Sequence, residues 1–307
     1  GGPSPPGQGV GLSPGGACPP PHFLSIVRPA GAAELCEAFS EVSVMYLTDY
    51  HTHSSMSFDG HAPMADIAAA AERAGLDELC ITDHCDFLDE HGRPNRAYDW
   101  DGACAQYREA LAACKPGFTL RLGLEFGMSH LDPAAAAAIC ARPEADFILG
   151  SIHNLCPEKG GTDLYVVPYP DEAACCAALD DYFASMALLA DTDFYDVLAH
   201  IIYPLRYMEV PVSLEPYYGR IRAILRTAVE KGRGMEINTC RGHTIGAWKP
   251  ILELYKSCGG EIITVGSDAH TPQDVGKGVE AACALLSACG FRYVCTYEKR
   301  KPVFHKL

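Results

Sequence analysis

Residues 45–53 read Met45-Tyr46-Leu47-Thr48-Asp49-Tyr50-His51-Thr52-His53. Tyr46–Tyr50 has the length and apolar content of a buried strand, and it runs straight into a His-x-His pair. The same join recurs down the chain. Leu79–Asp83 precedes His84, Thr119–Glu125 ends in an acid, and Phe147–Ile152 precedes His153. Phe194–Ala199 precedes His200, and Ile262–Gly266 leads to Asp268 and His270. Met235–Asn238 and Arg292–Tyr297 complete the strand candidates. Helical stretches lie between them at Met64–Ala74, Trp100–Ala113, Pro133–Ala141, Asp171–Ala190, Leu214–Lys231, Lys249–Cys258 and Val279–Cys289. Gly75 and Gly232 stand just past two of these, where a helix C-cap favours glycine. Alternating strands and helices imply right-handed βαβ units and a parallel sheet. Seven or eight repeats at this spacing, counted from the candidates above, point to an α/β barrel rather than an open sheet. The connections 153–170 and 201–213 are long enough to carry substrate-shaping loops.

Composition narrows the class. A chain of 307 residues can bury roughly three quarters of its extended surface, so a substantial core is expected. The net charge of −15, from 24 basic and 39 acidic residues, argues against a nucleic-acid partner, because phosphate backbones are held by clustered Lys and Arg. No run approaches the roughly 18 apolar residues of a membrane span, which excludes a transmembrane protein. The fifteen cysteines are odd in number and form no C-x-x-C pair. They read as reduced small hydrophobes in a cytoplasmic protein. No secretory signal is visible at the N-terminus. Residues 1–22 hold seven Gly and seven Pro, too little apolar surface to offset ordering, and are expected to be disordered. One short helix, Ala32–Phe39, is expected in the mixed stretch that follows. Met45 stands directly before the first strand. Residues 1–44 therefore read as an upstream extension or a flexible arm, and residues 45–307 as the barrel. Oligomeric state is not legible.

Chemistry concentrates where the strands end. His51 and His53 alternate on one strand face and can grip one ion together, as can Asp268 and His270. His84, Glu125, His153 and His200 occupy equivalent places. In a barrel all of these face one rim. Mixed imidazole and carboxylate donors suit Zn²⁺, Mn²⁺ or Fe²⁺ better than Ca²⁺ or Mg²⁺. One ion takes about three or four protein ligands, so the set implies about two or three divalent transition-metal ions. Any one of these histidines alone would read as an ordinary core or surface residue, as His130 does.

In this order, His51-Thr52-His53, Thr82-Asp83-His84, Glu125, Ser151-Ile152-His153, His200 and Ser267-Asp268-Ala269-His270 resemble the motifs of the polymerase and histidinol phosphatase (PHP) superfamily. The resemblance implies a distorted (βα)7 TIM-like barrel with a di- or trinuclear metal site. It also implies a further ligand at Asp59, where family members carry His, Glu or Asp. Within the superfamily the chain is most similar to histidinol-phosphate phosphatases of histidine biosynthesis, through Asp49–Ser54, Gly150–His153, Glu236–Thr239 and a basic residue after His200, here Arg206. Three stretches depart from that pattern: His200–Pro204, Asn154 and Cys240–His243. These border the expected substrate pocket.

The implied reaction is hydrolysis of a small phosphate monoester, most simply L-histidinol phosphate. Metal ions would neutralise phosphate oxygens, lower the pKa of a bridging water to give the attacking hydroxide, and stabilise the leaving alkoxide. His51, His53, Glu125 and Asp268 are assigned to one ion. Glu125 bridges to a second held by His84 and His153, and Asp59, His200 and His270 complete the set, with His200 on a third. Glu125 and Asp268 are catalytic through the ions. Asp83 is expected to orient a ligand histidine. Arg206 and Arg241 are candidate phosphate clamps. His243 is a candidate proton donor to the leaving oxygen, with a solvated loop histidine as the plain alternative. Glu236 and Asn238 either contact substrate or hold the rim. Competing readings are a PHP phosphodiesterase or nucleotide phosphatase, a metal-binding barrel without activity, and an amidohydrolase. The last commonly adds a bridging lysine, and no lysine ends a strand between Tyr46 and Val229.

Overall fold

The structure, a computed structural model, describes residues 45–95 and 98–307. The expectations for residues 1–44, including a helix at Ala32–Phe39, lie outside the described residues. Seven strands follow in chain order: β1 (Thr48–Asp49), β2 (Glu78–His84), β3 (Thr119–Gly127), β4 (Phe147–Ser151), β5 (Val197–Leu198), β6 (Gly234–Asn238) and β7 (Ile263–Gly266). Each pairs in parallel with the next. Single bonds rather than a ladder close the ring. Tyr50 N donates to Val265 O, Asp268 N to His51 O and His53 N to Ala269 O, each at 2.8 Å. Around the ring lie α1 (Met64–Arg73), α2 (Trp100–Ala113), α3 (Pro133–Cys140), α4 (Glu172–Ala190), α5 (Tyr218–Glu230), α6 (Lys249–Ser257) and α7 (Val279–Ala288). This is a distorted (βα)7 TIM-like barrel.

Local chemistry sets the element ends. Asp99, Asp132 and Asp171 accept hydrogen bonds from Gly102, Ala135 and Ala174 N at 3.0, 3.0 and 2.8 Å. Such caps are worth about 1 kcal/mol each. Asp171 therefore caps the fourth helix rather than opening it. The fifth helix starts later than Leu214, because a separate 3-10 turn, Glu215–Tyr217 with Pro216 at its centre, precedes it. Strand β5 is shorter than Phe194–Ala199, because the Asp196 carboxylate takes Ile148 N at 2.9 Å in place of a backbone carbonyl. Helix α4, against the sequence expectation, is long and apolar enough to cross a membrane by length and composition. Its Leu179, Tyr182, Phe183, Met186 and Leu189 are buried in the core. All described cysteines are free.

The eighth strand candidate does not join the ring. Tyr293–Glu298 (β8) pairs antiparallel with Lys301–Lys306 (β9), and this hairpin covers the end where the barrel strands begin. Tyr297 N donates to Tyr50 Oη at 2.8 Å, and that hydroxyl donates to Glu78 at 2.6 Å. The Arg300 guanidinium pairs with Asp196, and Lys299 N donates to Asp146 Oδ1 at 2.9 Å. Above this floor Tyr50, Phe147, Leu149, Val197, Ala199 and Tyr297 fill an apolar layer.

Candidate metal centre

Register carries the polar strand ends to one rim. His84 on β2 lies opposite Glu125 on β3, and Gly127 lies opposite Ser151 on β4. Glu125 becomes a hub. Its Oε1 is 2.9 Å from His153 Nε2 and 2.7 Å from His200 Nε2. Its Oε2 is 3.1 Å from His51 Nε2, 3.3 Å from His84 Nδ1 and 3.5 Å from His53 Nε2. Asp268 Oδ1 stands 3.6 Å from His51 Nε2 and 3.5 Å from His53 Nε2. Asp59 Oδ2 is 3.0 Å from His270 Nε2 and 3.7 Å from His84 Nε2. His84 and His270 have ring centroids 6.2 Å apart.

The opposite ring nitrogens are already held. His51 Nδ1 donates to Glu236 Oε1 at 2.7 Å, His153 Nδ1 to Asp86 Oδ1 at 3.2 Å and His270 Nδ1 to Asp268 O at 3.0 Å. Ser57 spends its only proton on Asp83 Oδ1 at 2.8 Å, so at 3.1 Å His53 Nδ1 is the donor to Ser57 Oγ. These bonds leave the Nε2 atoms of His51, His53 and His153 facing the hub and that of His270 facing Asp59. Two glycines make room for the supporting acids. A Cβ on Gly266 would lie 2.3 Å from His51 Cβ and 2.4 Å from Glu236 Oε1, and one on Gly127 would lie within bonding distance of Asp86 Oδ1.

Proton affinities follow from this crowding. Burial works against the charged form of His51, but Glu236, Glu125 and Asp268 raise its pKa well above the ordinary value. Burial pushes His53 down to about 3, helped by the neighbouring His270 and His84. Burial opposes ionisation of Asp86, yet His84 and His153 hold its carboxyl down at about 2. Burial likewise opposes ionisation of Glu125, and His51, His153 and His84 outweigh it.

Buried imidazole nitrogens face carboxylate oxygens here, an arrangement that needs a proton or a metal cation between each pair. His51 Nε2 and His53 Nε2 are fully buried and have no hydrogen-bond partner. The donors fall into four overlapping groups: His51, His53 and Asp268; His51, Glu125 and His200; His84, Glu125 and His153; and His53, Asp59, His84 and His270. The donor set fits transition-metal ions. A cleft of about 780 Å³ opens from the cluster and is lined further by Arg206, Arg241, His243, Asp163 and Tyr203.

A profile of the PHP domain matches residues 49–240. The chain belongs to the PHP-domain family. It is 28% identical over 258 residues to a probable histidinol-phosphatase of Thermotoga maritima, covering 83% of this chain and 97% of that protein. A histidinol-phosphatase of Lactococcus lactis is 24% identical over 265 residues, covering 82% and 95%. A crystal structure of histidinol phosphate phosphatase from Lactococcus lactis, in complex with zinc, L-histidinol and phosphate, shares the fold. Its TM-score is 0.73 at 22% identity, covering 85% of this chain and all of that one.

The PHP rim gathers every residue read from the sequence as a ligand: His51, His53, Asp59, His84, Glu125, His153, His200, Asp268 and His270. One pairing differs. Asp268 and His270 fall in separate groups, because Asp268 has φ +60° and leaves the strand geometry that would have put both on one face. Arg206 is nearly buried and donates from Nη1 to Asp268 Oδ2 at 2.6 Å, with its guanidinium 5.2 Å from the Tyr203 ring. Arg241 and His243 line the exposed wall of the cleft. Glu236 holds His51 and, through Oε2, His200 N at 2.9 Å, so it supports the rim rather than a substrate. Asn154 is a loop tie, its amide donating to Asp89 O and Gly161 O at 2.8 Å each. Sequence reading missed Asp86, which faces His84 Nδ1 at 3.0 Å as well as His153. His84-Cys85-Asp86 carries the same i, i+2 signal as His51-Thr52-His53.

Proposed function

We propose that this PHP domain is a metal-dependent phosphatase that hydrolyses a small phosphate monoester, with L-histidinol phosphate as its first substrate. The observation that carries the reading is the Glu125 hub, with five imidazoles around one carboxylate at the base of a cleft that also presents guanidinium groups. Two or three ions of Zn²⁺, Mn²⁺ or Fe²⁺ fit the overlapping donor groups. His51, His53 and Asp268 would hold one, with Glu125 shared toward His84 and His153. When bound, such ions supply charge neutralisation for the phosphate and acidify water for the attack. Glu236, Ser57 and Asp86 fix the ring orientations on which that binding depends.

Arg206 is held rigid by Asp268 and Tyr203, and its remaining N–H groups are free to bind phosphate oxygens. Arg241 lines the same cleft from an exposed position. His243, beside it, supplies a proton to the leaving oxygen. Curated relatives named histidinol-phosphatase, similar over nearly their whole length, support the choice of first substrate. The test is release of inorganic phosphate from L-histidinol phosphate by protein loaded with Mn²⁺, Zn²⁺ or Fe²⁺. Hydrolysis of diesters without hydrolysis of any monoester would replace this reading with a phosphodiesterase.

A further inference from the structure

Six joints between neighbouring strands are parallel ladders. Where β7 meets β1, single backbone bonds alone close the ring among the described residues. The donor group of His51, His53 and Asp268 lies across that weak joint, with both imidazoles on the β1 side and the carboxylate on the β7 side. A metal tolerates little drift in its donors, whose distances are held to about 0.2 Å. The joint therefore needs a restraint that the ladder does not supply.

Asp49, the last residue of β1, stands at this joint and is fully buried. Four hydrogen bonds satisfy its carboxylate. Oδ1 accepts from Ser267 N at 2.8 Å and from His51 N at 3.3 Å. Oδ2 accepts from Gly276 N at 2.8 Å and from the Ser267 hydroxyl. A carboxylate offers about four lone-pair sites, and all of them are used. An amide would not serve, because its NH2 would face donors. Two of the bonds come from Ser267, immediately before Asp268, and one from Gly276, in the loop that follows His270. One side chain on β1 thus pins both flanks of the segment that carries Asp268 and His270.

Asp268 needs that restraint. Its φ of +60° lies in the left-handed region, which a residue with a Cβ occupies only where its surroundings over-determine it. Its N–H donates to His51 O at 2.8 Å, and Ser267 O accepts from Arg241 N at 2.8 Å. Together with Asp49, these bonds aim Asp268 Oδ1 at His51 and His53. Asp49 is not among the residues that line the cleft, so it acts through Asp268 and not on a substrate.

We infer that Asp49 is a positioning residue. By clamping Ser267 and Gly276 across the open joint, it sets the affinity for the ion shared by His51, His53 and Asp268, and not for the ion of His84, Glu125 and His153. This rests on the metal-dependent reading and on no particular substrate.

The test reads metal affinity rather than turnover. Metal-free wild type, Asp49→Asn, Ser267→Ala and Asp268→Asn are titrated with Zn²⁺ against a chromophoric chelator, and with Co²⁺ followed by its visible absorption. Asp49→Asn should weaken one ion by about 10- to 100-fold, the scale for residues that orient a ligand. The ion of His84, Glu125 and His153 should stay within about twofold. Ser267→Ala keeps the backbone N–H and removes only the hydroxyl, so it should weaken the same ion by about 3- to 10-fold. Asp268 belongs to one donor group alone, so Asp268→Asn marks that ion. Adding Asp49→Asn to it should shift no remaining affinity by more than about twofold. Equal weakening of every ion in the single variants would mean that Asp49 only stabilises the barrel, and unchanged affinities would mean that it clamps nothing the metal feels. Either result overturns the inference and leaves the metal-dependent phosphatase reading standing. Should Asp49→Asn fail to fold, Ser267→Ala decides alone. A wild type that binds no metal sinks the reading itself, and the inference with it.

Discussion

The two ends of this barrel both bury charge, and they do it in opposite ways. At the floor each charge has its partner. Asp196 is met by Arg300 and by Arg233 at 3.3 Å, and Glu78 by Tyr50, Tyr46 and Arg121. At the rim, buried nitrogens of His51 and His53 point at oxygens with nothing to satisfy both. The floor is closed by the protein alone, while the rim is complete only with ions from outside. A paired interior charge serves the fold, and an unpaired one marks where chemistry is done.

The sharpest way to break this contrast is to attack each end separately. Glu125→Gln removes charge from the hub. It should lower kcat/KM by more than about 1000-fold, beyond the 10- to 100-fold typical of residues that only support a ligand, and elemental analysis should find at least one ion fewer. Arg300→Ala leaves the Asp196 carboxylate with Arg233 alone. It should cost about 2 kcal/mol in urea unfolding, below the roughly 3–5 kcal/mol of a buried charge left wholly unpaired, while metal-loaded kcat/KM stays within about twofold. If Arg300→Ala abolished activity as Glu125→Gln does, the ends would not be separable.

Chelation sharpens the contrast further. Ions that bind only the folded protein stabilise it by mass action, about 2.7 kcal/mol at a hundredfold excess over Kd. The thermal midpoint should therefore fall when the metal is removed. That drop should persist in Arg300→Ala and shrink in His53→Ala, as read by calorimetry. The smallest effect belongs to His130, a half-buried imidazole with no acid beside it among the described residues. Burial lowers its pKa to about 4, and its Nδ1 has no hydrogen-bond partner. The unfolded chain takes up this proton near pH 6.5, well before the folded chain does. Stability is therefore lost as pH falls from about 6.5 through about 4, and nothing changes at neutral pH. His130→Gln should flatten that part of the stability profile relative to wild type.

The rim was legible in the sequence and the floor was not. His51, His53, His84, His153 and His200 announce themselves because strand ends recur and each carries a metal-binding side chain. The partners that orient them stayed hidden, since Glu236 meets His51 across 185 positions and Asp86 meets His153 across 67. No local pattern encodes such pairs. The hairpin was hidden for a different reason. Its turn falls on Lys299 and Arg300, both with positive φ, at +48° and +64°. A turn of that shape ordinarily takes Asn and Gly. Here bonds to Asp146 and Asp196 hold it instead, so tertiary contacts override a local preference. The strand β9 behind it could not be read from residues whose turn signal is absent.

The separation of Asp196 from its guanidinium also sets a clock. Arg300 follows Asp196 by 104 residues. At about 5–20 residues per second, a ribosome needs roughly 5–20 s to pass from one to the other. Throughout that interval the acid has only Arg233 to meet it, and the Tyr50 hydroxyl waits for Tyr297 N. His270, the last proposed ligand, is made before β8 begins. Among the described elements, the hairpin that seals the far end of the barrel is made after every proposed ligand.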